Sequence, residues 1–489
     1  MPVKDTPDNV KKCICQKCPS YPEGCTSEIL YCARSASQCE IPVAGCICGA
    51  CAVYIENMLA GLYFCDKVKV GSGKAMMRKR RAGEAEDVYQ DVVEIKELAK
   101  TGKSIICSMG SQEQLPFSFS DIHFIPAQVY KMPREREDKV NTEITIGPRA
   151  KKPLVVTSPI LISGMSLGAT SRNLRLVISR VAKELGIAYN SGEGGILEEE
   201  MAEAPKHLIG QYATDREAVE MSILKRLAAV EIRFGQGAYP GKGSYVPEGK
   251  IVNEEVAKVK GLKGYEQSSS PAHHFDMNNP KELKDKMAWL RENSDMVPIG
   301  AKIGCGNVER DMEILVDSGV DFIALDGFGG GTGATEQYVR DNVGIPIIAA
   351  LPRASRYLKE VGAEERVTLI AGGGLRTSAD FAKCLALGAD AVYIATAALV
   401  AINCEQYRIC HTGLCPTGVT SHKPSLTRNL SIELGIRRLS NFIRISTEEI
   451  ANITRIVGKD DVRKLCIEDL VSMKKELSEM TGTRWLSSA

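Results

Sequence analysis

The sequence predicts an α/β fold, a (β/α)8 TIM barrel preceded by a small N-terminal cysteine-rich metal-binding domain. Three observations carry this expectation. The 489 residues exceed what one hydrophobic core organises, so a large unit and a smaller one are expected. From Pro153 onward short β-rich runs alternate with helical patterns, and ten of the 17 cysteines fall between Cys13 and Cys65. The expected organisation is a tandem metal-binding domain over 1–66, a basic linker and helical connector over 67–113, and a barrel with C-terminal helices over 114–489.

In the first segment the pattern Cys13-Ile14-Cys15-x-x-Cys18 recurs 33 residues later as Cys46-Ile47-Cys48-x-x-Cys51. Each copy is followed at the same offset by a further cysteine, Cys32 or Cys65, with Tyr21 and Tyr54 in register. So little aliphatic content cannot stabilise the segment by burial, which makes metal coordination the expected source of folding energy. Four thiolates per repeat suit zinc and a [4Fe–4S] cluster equally well. Cys25 and Cys39 lie on a seven-residue ladder with Cys18, Cys32 and Cys46, which leaves the ligand sets open to exchange. The polar stretch Met1–Lys12 lacks the apolar block of a secretory signal, so a cytoplasmic location is expected, where thiols stay reduced. Lys67 to Arg81 reads as a solvated linker, because Gly71-Ser72-Gly73-Lys74 is too short for a phosphate-gripping loop.

Eight β runs are expected: Ile160–Ile162, Ile187–Tyr189, Val230–Phe234, Pro298–Ile303, Phe322–Leu325, Ile345–Ala349, Val367–Ala371 and Ala391–Ile394. Their glycines cluster after the later runs, whereas a doubly wound sheet places its glycine fingerprint at the first strand–helix turn. Gly372, Gly373 and Gly374 follow the seventh run and Thr396 the eighth, where barrels commonly hold a phosphate on backbone N–H groups. Gly331 belongs to a second glycine loop, Gly329 to Ala334, after the fifth. Glu193, flanked by glycines after the second run, has the posture of a substrate-facing acid. Lys302 closes the fourth run, and a lysine ending an apolar barrel strand points at the site, where its charge suits a flavin's pyrimidine edge. Cys404, Cys410 and Cys415, with Pro416 next, read as an iron–sulfur loop holding a [3Fe–4S] cluster. His411 keeps a three-cysteine zinc alternative open. His273 and His274 are expected to shape their loop or face the substrate.

Sixty-two basic against 61 acidic residues, net charge +1, argue against a nucleic-acid or membrane partner held by bulk electrostatics. The longest nearly apolar stretch, Cys384 to Asn403, carries Gly388 and Asp390 and reads as barrel interior, not as a membrane span.

Seven motifs in order resemble one family: Ile162-Ser163-Gly164-Met165-Ser166-x-Gly168-Ala169, Gly192-Glu193-Gly194-Gly195, Gln236-Gly237-Ala238, Pro271-x-His273-His274, Gly330 to Ala334, Gly372 to Leu375, and the Cys404–Cys415 loop. They resemble the FMN-binding synthase domain of glutamate synthase in its stand-alone archaeal form, over about Leu115 to Gly482. The cysteine-rich head resembles small domains of uncharacterised function from anaerobic archaea. The resemblance implies an FMN barrel with a [3Fe–4S] cluster, which passes electrons to FMN for reduction of 2-iminoglutarate, made from 2-oxoglutarate and ammonia, to L-glutamate. It implies that Gly164, Met165, Ser166, Gln236 and Gly331 line the flavin, that Gly372 to Gly374 with Thr396 hold its phosphate, and that Glu193, Arg233 and Lys302 form the catalytic set. Departures accompany it. Arg233 stands where the family reads lysine and preserves a charge. Tyr239 and Tyr245 replace a lysine and a glutamine that position the dicarboxylate, with Lys242 as the compensating cation. The alternatives are therefore a related FMN and iron–sulfur oxidoreductase acting on another imine, keto acid or amine, or a non-catalytic electron-transfer subunit. No G-x-G-x-x-G unit stands in strand–helix context, so electrons are expected from a ferredoxin or reductase subunit. Ammonia is expected free or from a glutaminase subunit, and the chain is expected to form a homo-oligomer.

Overall fold

A computed structural model describes residues 3–488 except 23, 25–26, 35, 40, 43, 58, 60–62, 66–83, 215–220, 248–249, 251–253 and 261–267. The basic run 67–81 and Cys25 therefore lie outside the described residues.

Eight parallel strands form a closed barrel: β1 (Ile160–Ile162), β2 (Tyr189–Asn190), β3 (Leu208–Tyr212), β4 (Ala229–Arg233), β5 (Ile299–Gly304), β6 (Phe322–Asp326), β7 (Thr368–Gly372) and β8 (Ala391–Ile394). Each pairs with its successor, and β8 returns to β1 with Val392, Tyr393 and Ile394 opposite Ile160, Leu161 and Ile162. The strands are buried on both faces, as a parallel sheet filled inside and covered outside by helices requires. The cover includes α1 (Arg172–Leu185), α2 (Pro280–Asn293), α3 (Val308–Ser318), α4 (Ile347–Glu360), α5 (Ser378–Ala386) and α6 (Thr396–Ile402). Helix α1 shows why such segments are helical. Ser171 caps its first turn by accepting from Leu174 N–H, Leu174, Val177, Ile178 and Val181 make a buried stripe, and Gly186 ends it at φ 67°. A long C-terminal helix, α7 (Ile432–Ile456), packs across α1, α5 and α6.

One strand expectation is corrected. Ile345–Ala349 is not a strand, because Pro346 is the N-cap of α4 and the helix begins at Ile347. The missing strand is β3, where Gly210 and Gln211 interrupt the apolar pattern. A short apolar run does not by itself distinguish a strand from a buried helix start. Lys302 consequently lies in the fifth strand, and the Gly329 loop follows the sixth.

The N-terminal mouth of the barrel is closed by a hairpin, Ile144–Ile146 against Leu154–Val156. Its Ile144, Ile146, Leu154 and Val156 are buried, and Gly147 N–H donates to Thr368 Oγ1 at 3.0 Å at the start of β7. The head has its own small core of Val3, Leu30, Cys51 and Val53. Its two motif copies adopt the same 3-10 turn, Cys15–Lys17 and Cys48–Ala50. Cys39 is disulfide-bonded and so stands outside the thiol sets. The connector helix Glu84–Thr101 touches the barrel through Glu94, which accepts from Gln337. Among the described residues no helix is long and apolar enough to cross a membrane.

Candidate active site

The carboxyl ends of the strands surround a cavity of about 1150 Å³ of empty space, its open mouth included. With the mouth included it exceeds the usual range of small-molecule sites. Its wall brings together Gly164, Met165 and Ser166 after β1, Glu193 after β2, Gln236 after β4, Lys302 on β5, Gly331 after β6, Gly373 and Gly374 after β7, Thr396 after β8, and Cys410. Gly372, Arg233, Cys404 and Cys415 are not part of that wall.

Gly373 and Gly374 adopt φ 105° and 81°, conformations that disfavour side chains, and a Cβ on Gly373 would fall 2.4 Å from Gly327 O. Bare backbone at Gly331 approaches Thr396, and Gly373 and Gly374 line the same cavity. That donor set suits a phosphate, and the open volume beside it suits a flat ring.

Lys302, 3% exposed, donates to Ser163 Oγ at 3.0 Å and pairs with Asp326 Oδ2 at 3.2 Å. Its ammonium lies 5.7 Å from the centre of the Tyr393 ring. One layer deeper, Glu231 on β4 accepts from Asn190 Nδ2 at 2.8 Å and Gln211 Nε2 at 2.9 Å, both on Oε1. Glu231 and the Tyr393 hydroxyl are buried side by side and interact with each other. Burial pushes the Glu231 carboxyl above its ordinary range, while Lys302 pulls it down. This inward polar layer was not singled out in the sequence. Its signal is a glutamate at alternation with Arg233 inside an otherwise apolar strand.

Arg233 donates through Nη1 to Glu193 Oε2, and both are buried. The Arg233 guanidinium lies 5.6 Å from the Tyr239 ring centre, and burial raises the Tyr239 phenol with Glu193 adding to it. His274 Nε2 meets Arg233 O at 3.0 Å and its ring stacks on Tyr212 at 5.9 Å, so His274 shapes the loop after β4, whereas His273 is exposed. Lys242 does not supply the compensating cation. It pairs with Glu336 and is absent from the wall. Lys250 enters the wall instead, donating to Ala169 O at 2.5 Å.

Arg175 on α1 positions two of these loops at once. It holds Glu200 through Nε at 2.7 Å and Nη2 at 2.9 Å, and donates to Met165 O at 2.9 Å and to Ser191 O. Both side chains are at most 2% exposed. Arg175→Met strands a buried carboxylate, so it is expected to cost about 3–5 kcal/mol of stability, read as a lower urea midpoint. An unchanged midpoint would remove this positioning role.

The cysteine loop begins after α6. Cys410 and Cys415 are each 7% exposed, and burial pushes the Cys404 thiol up to about 12, with Cys410 and Cys415 as like-charged neighbours. Cys410 Sγ lies 3.8 Å from Met109 Sδ, and Met109 lines the cavity. His411 Nδ1 is 2.8 Å from Ser108 Oγ. Among the described residues no three ligating side chains converge as a single ion requires. Two buried thiols and one half-buried thiol gathered around a loop are a donor set for a cluster, to which soft sulfur ligands are suited. The head abuts this loop on both flanks: a Cβ on Gly49 would lie 3.5 Å from Glu405 Oε1, and one on Gly45 would lie 3.9 Å from Pro416 Cγ.

His422, beyond the loop, meets Gly168 O through Nε2 at 3.0 Å, and burial lowers its pKa to about 4. A depressed histidine contributes stability above its unfolded pKa and loses it as pH falls through the folded one. From about pH 6.5 down to 4 the protein is expected to lose about 3 kcal/mol through this group. Urea midpoints across that window should flatten in His422→Gln; an equal slope in both proteins would contradict the assignment.

Residues 89–460 match the family described as Conserved region in glutamate synthase. Residues 13–66 match a family described as Protein of unknown function (DUF2769). A glutamate synthase large subunit-like protein of Rhizobium meliloti is 36% identical over 419 residues, covering 81% of this chain and 94% of that one. The archaeal glutamate synthase (NADPH) of Methanocaldococcus jannaschii is 34% identical, covering 76% and 78%. Among solved structures, a lactate oxidase of Pediococcus acidilactici gives a TM-score of 0.48 at 13% identity, covering 75% of this chain and 89% of that one. With 372 matched positions (89 to 460) of 489, the chain belongs to the glutamate synthase family, as an oxidoreductase of the class acting on CH–NH2 donors.

Proposed function

We propose that this chain reduces the imine of a 2-oxo dicarboxylic acid, 2-iminoglutarate in the first instance, to the amino acid. The supporting observation is one cavity whose wall contains Lys302, Glu193, a glycine-lined anion cradle and Cys410 together. Relatives named glutamate synthase support the substrate class. FMN held by Gly373, Gly374 and Thr396 would supply hydride, and a [3Fe–4S] cluster on Cys404, Cys410 and Cys415 would supply its electrons singly.

The chain's own residues do the rest. Lys302, fixed by Ser163 and Asp326, places its ammonium where negative charge develops. Glu193, oriented by Arg233, accepts from the N–H of a protonated imine. Lys250 offers a substrate carboxylate a cation from the opposite loop. Electrons come from a separate donor, a ferredoxin or reductase subunit, and ammonia comes free or from a glutaminase partner.

Anaerobic protein with a chemical reductant, ammonia and 2-oxoglutarate is expected to form glutamate. Reducible flavin without glutamate would reject the substrate assignment. A second reading, another imine, keto acid or amine, is favoured by Tyr239, which fills the place of a family lysine and lies against Arg233. On that reading Tyr239→Lys with Tyr245→Gln should raise activity on 2-oxoglutarate at least about tenfold, the worth of one charge-assisted hydrogen bond. No gain would count against it.

A further inference from the structure

The two copies of the head motif do not close on themselves. All eight repeat thiols line one cavity of about 540 Å³ of empty space, so the question is which thiol belongs with which. The third cysteine of each copy crosses to the other. Cys18 Sγ donates to the carbonyl of Gly45, the residue before Cys46, at 3.5 Å. Cys51 Sγ donates to the carbonyl of Lys12, the residue before Cys13, at 3.8 Å. The same 33-residue offset relates donors and acceptors, so the crossing is a property of the repeat and not of one loop.

The remaining ligands keep to their own copy, again by the same offset. Cys13 Sγ accepts from Leu30 N–H and Cys46 Sγ from Tyr63 N–H, each at 3.3 Å. Leu30 and Tyr63 have φ 58° and 53°, and these left-handed turns stand two residues before Cys32 and Cys65. Cys13, Cys32 and Cys51 share one packed cluster. Tyr63 lies in the field of Cys46, Cys18 and Cys65.

We propose that the head holds two iron–sulfur clusters with exchanged ligands, one on Cys13, Cys15, Cys32 and Cys51, the other on Cys46, Cys48, Cys65 and Cys18. Two-cluster ferredoxins exchange a cysteine between sites in the same sense. With the exchange neither set is complete within one repeat, so each copy supplies ligands to both sites. Iron–sulfur chemistry, not zinc, follows from position. The Cys46 set is the one whose Gly45 and Gly49 face Pro416 and Glu405, the residues next to Cys415 and Cys404. A redox-inert ion there would serve no electron path. The order of relay is then Cys13 site, Cys46 site, Cys404 loop, cavity. Each passage moves one electron from a separate one-electron donor protein, and two passages with two protons convert an imine to an amine. The relay and the choice of iron–sulfur over zinc rest on the function proposed above; the ligand exchange does not.

The test uses full-length protein purified anaerobically, with iron, sulfide, zinc and flavin measured per chain. Cys13→Ala with Cys51→Ala removes two ligands of one set and should lose about four of about eight head irons. Cys13→Ala with Cys18→Ala damages both sets and should lose nearly all of them, while flavin content stays unchanged. Loss of all head iron in the first variant, or retention of half in the second, would overturn the exchange. Two zincs per chain, with iron sufficient only for the loop, would overturn the clusters. Glutamate formation with a chemical reductant bypasses the head, so a failure here leaves the catalytic proposal standing, and the reverse also holds.

Discussion

Replacing Lys302 with methionine is expected to lower kcat at least about a hundredfold with a chemical reductant, the usual effect of removing one preorganised charge from a buried site. The substitution keeps the bulk of the side chain inside the barrel. It removes the cation that pairs with Asp326 at 3.2 Å and the donor to Ser163 at 3.0 Å. Flavin content should be retained, because the phosphate cradle lies on other strands. The flavin reduction potential should fall, because a cation beside the ring favours its reduced anion. A kcat within about threefold of the parent, at unchanged potential, would show that this charge does not act on the chemistry.

The second large effect concerns electron supply. Cys410→Ala should lose about three irons per chain and abolish turnover with a protein electron donor, because Cys410 is the loop thiol that lines the cavity and touches Met109. Chemically reduced protein should still convert substrate, since Glu193, Arg233 and Lys302 are untouched. Equal loss with both reductants would mean that the loop is structural and carries no current.

The barrel was readable in the sequence because parallel strands buried on both faces leave continuous apolar runs. That signal fails where a strand contains Gly210 and Gln211, and it misleads where Ile345 to Ala349 is apolar yet Pro346 starts a helix. The glycine loops could be located because glycine marks backbone conformations that other residues avoid, as at Gly373 and Gly374. The partners were not. Arg175 with Glu200, and Asn190 and Gln211 with Glu231, meet only after distant strands close the barrel. Lys242 and Lys250 each follow a glycine, yet Lys250 enters the wall and Lys242 pairs with Glu336. In the head, the repeat identified eight thiols, and only folding shows Cys18 and Cys51 crossing between copies.

The most direct measurement is a single turnover followed by the visible spectrum of anaerobic protein. After chemical reduction that delivers two electrons to each flavin, the bleached flavin band should return only when a 2-oxo acid and ammonia are both present, with one amino acid formed per flavin. A colourless protein, or a band that stays bleached with 2-oxoglutarate and every other 2-oxo acid supplied with ammonia, would contradict the account.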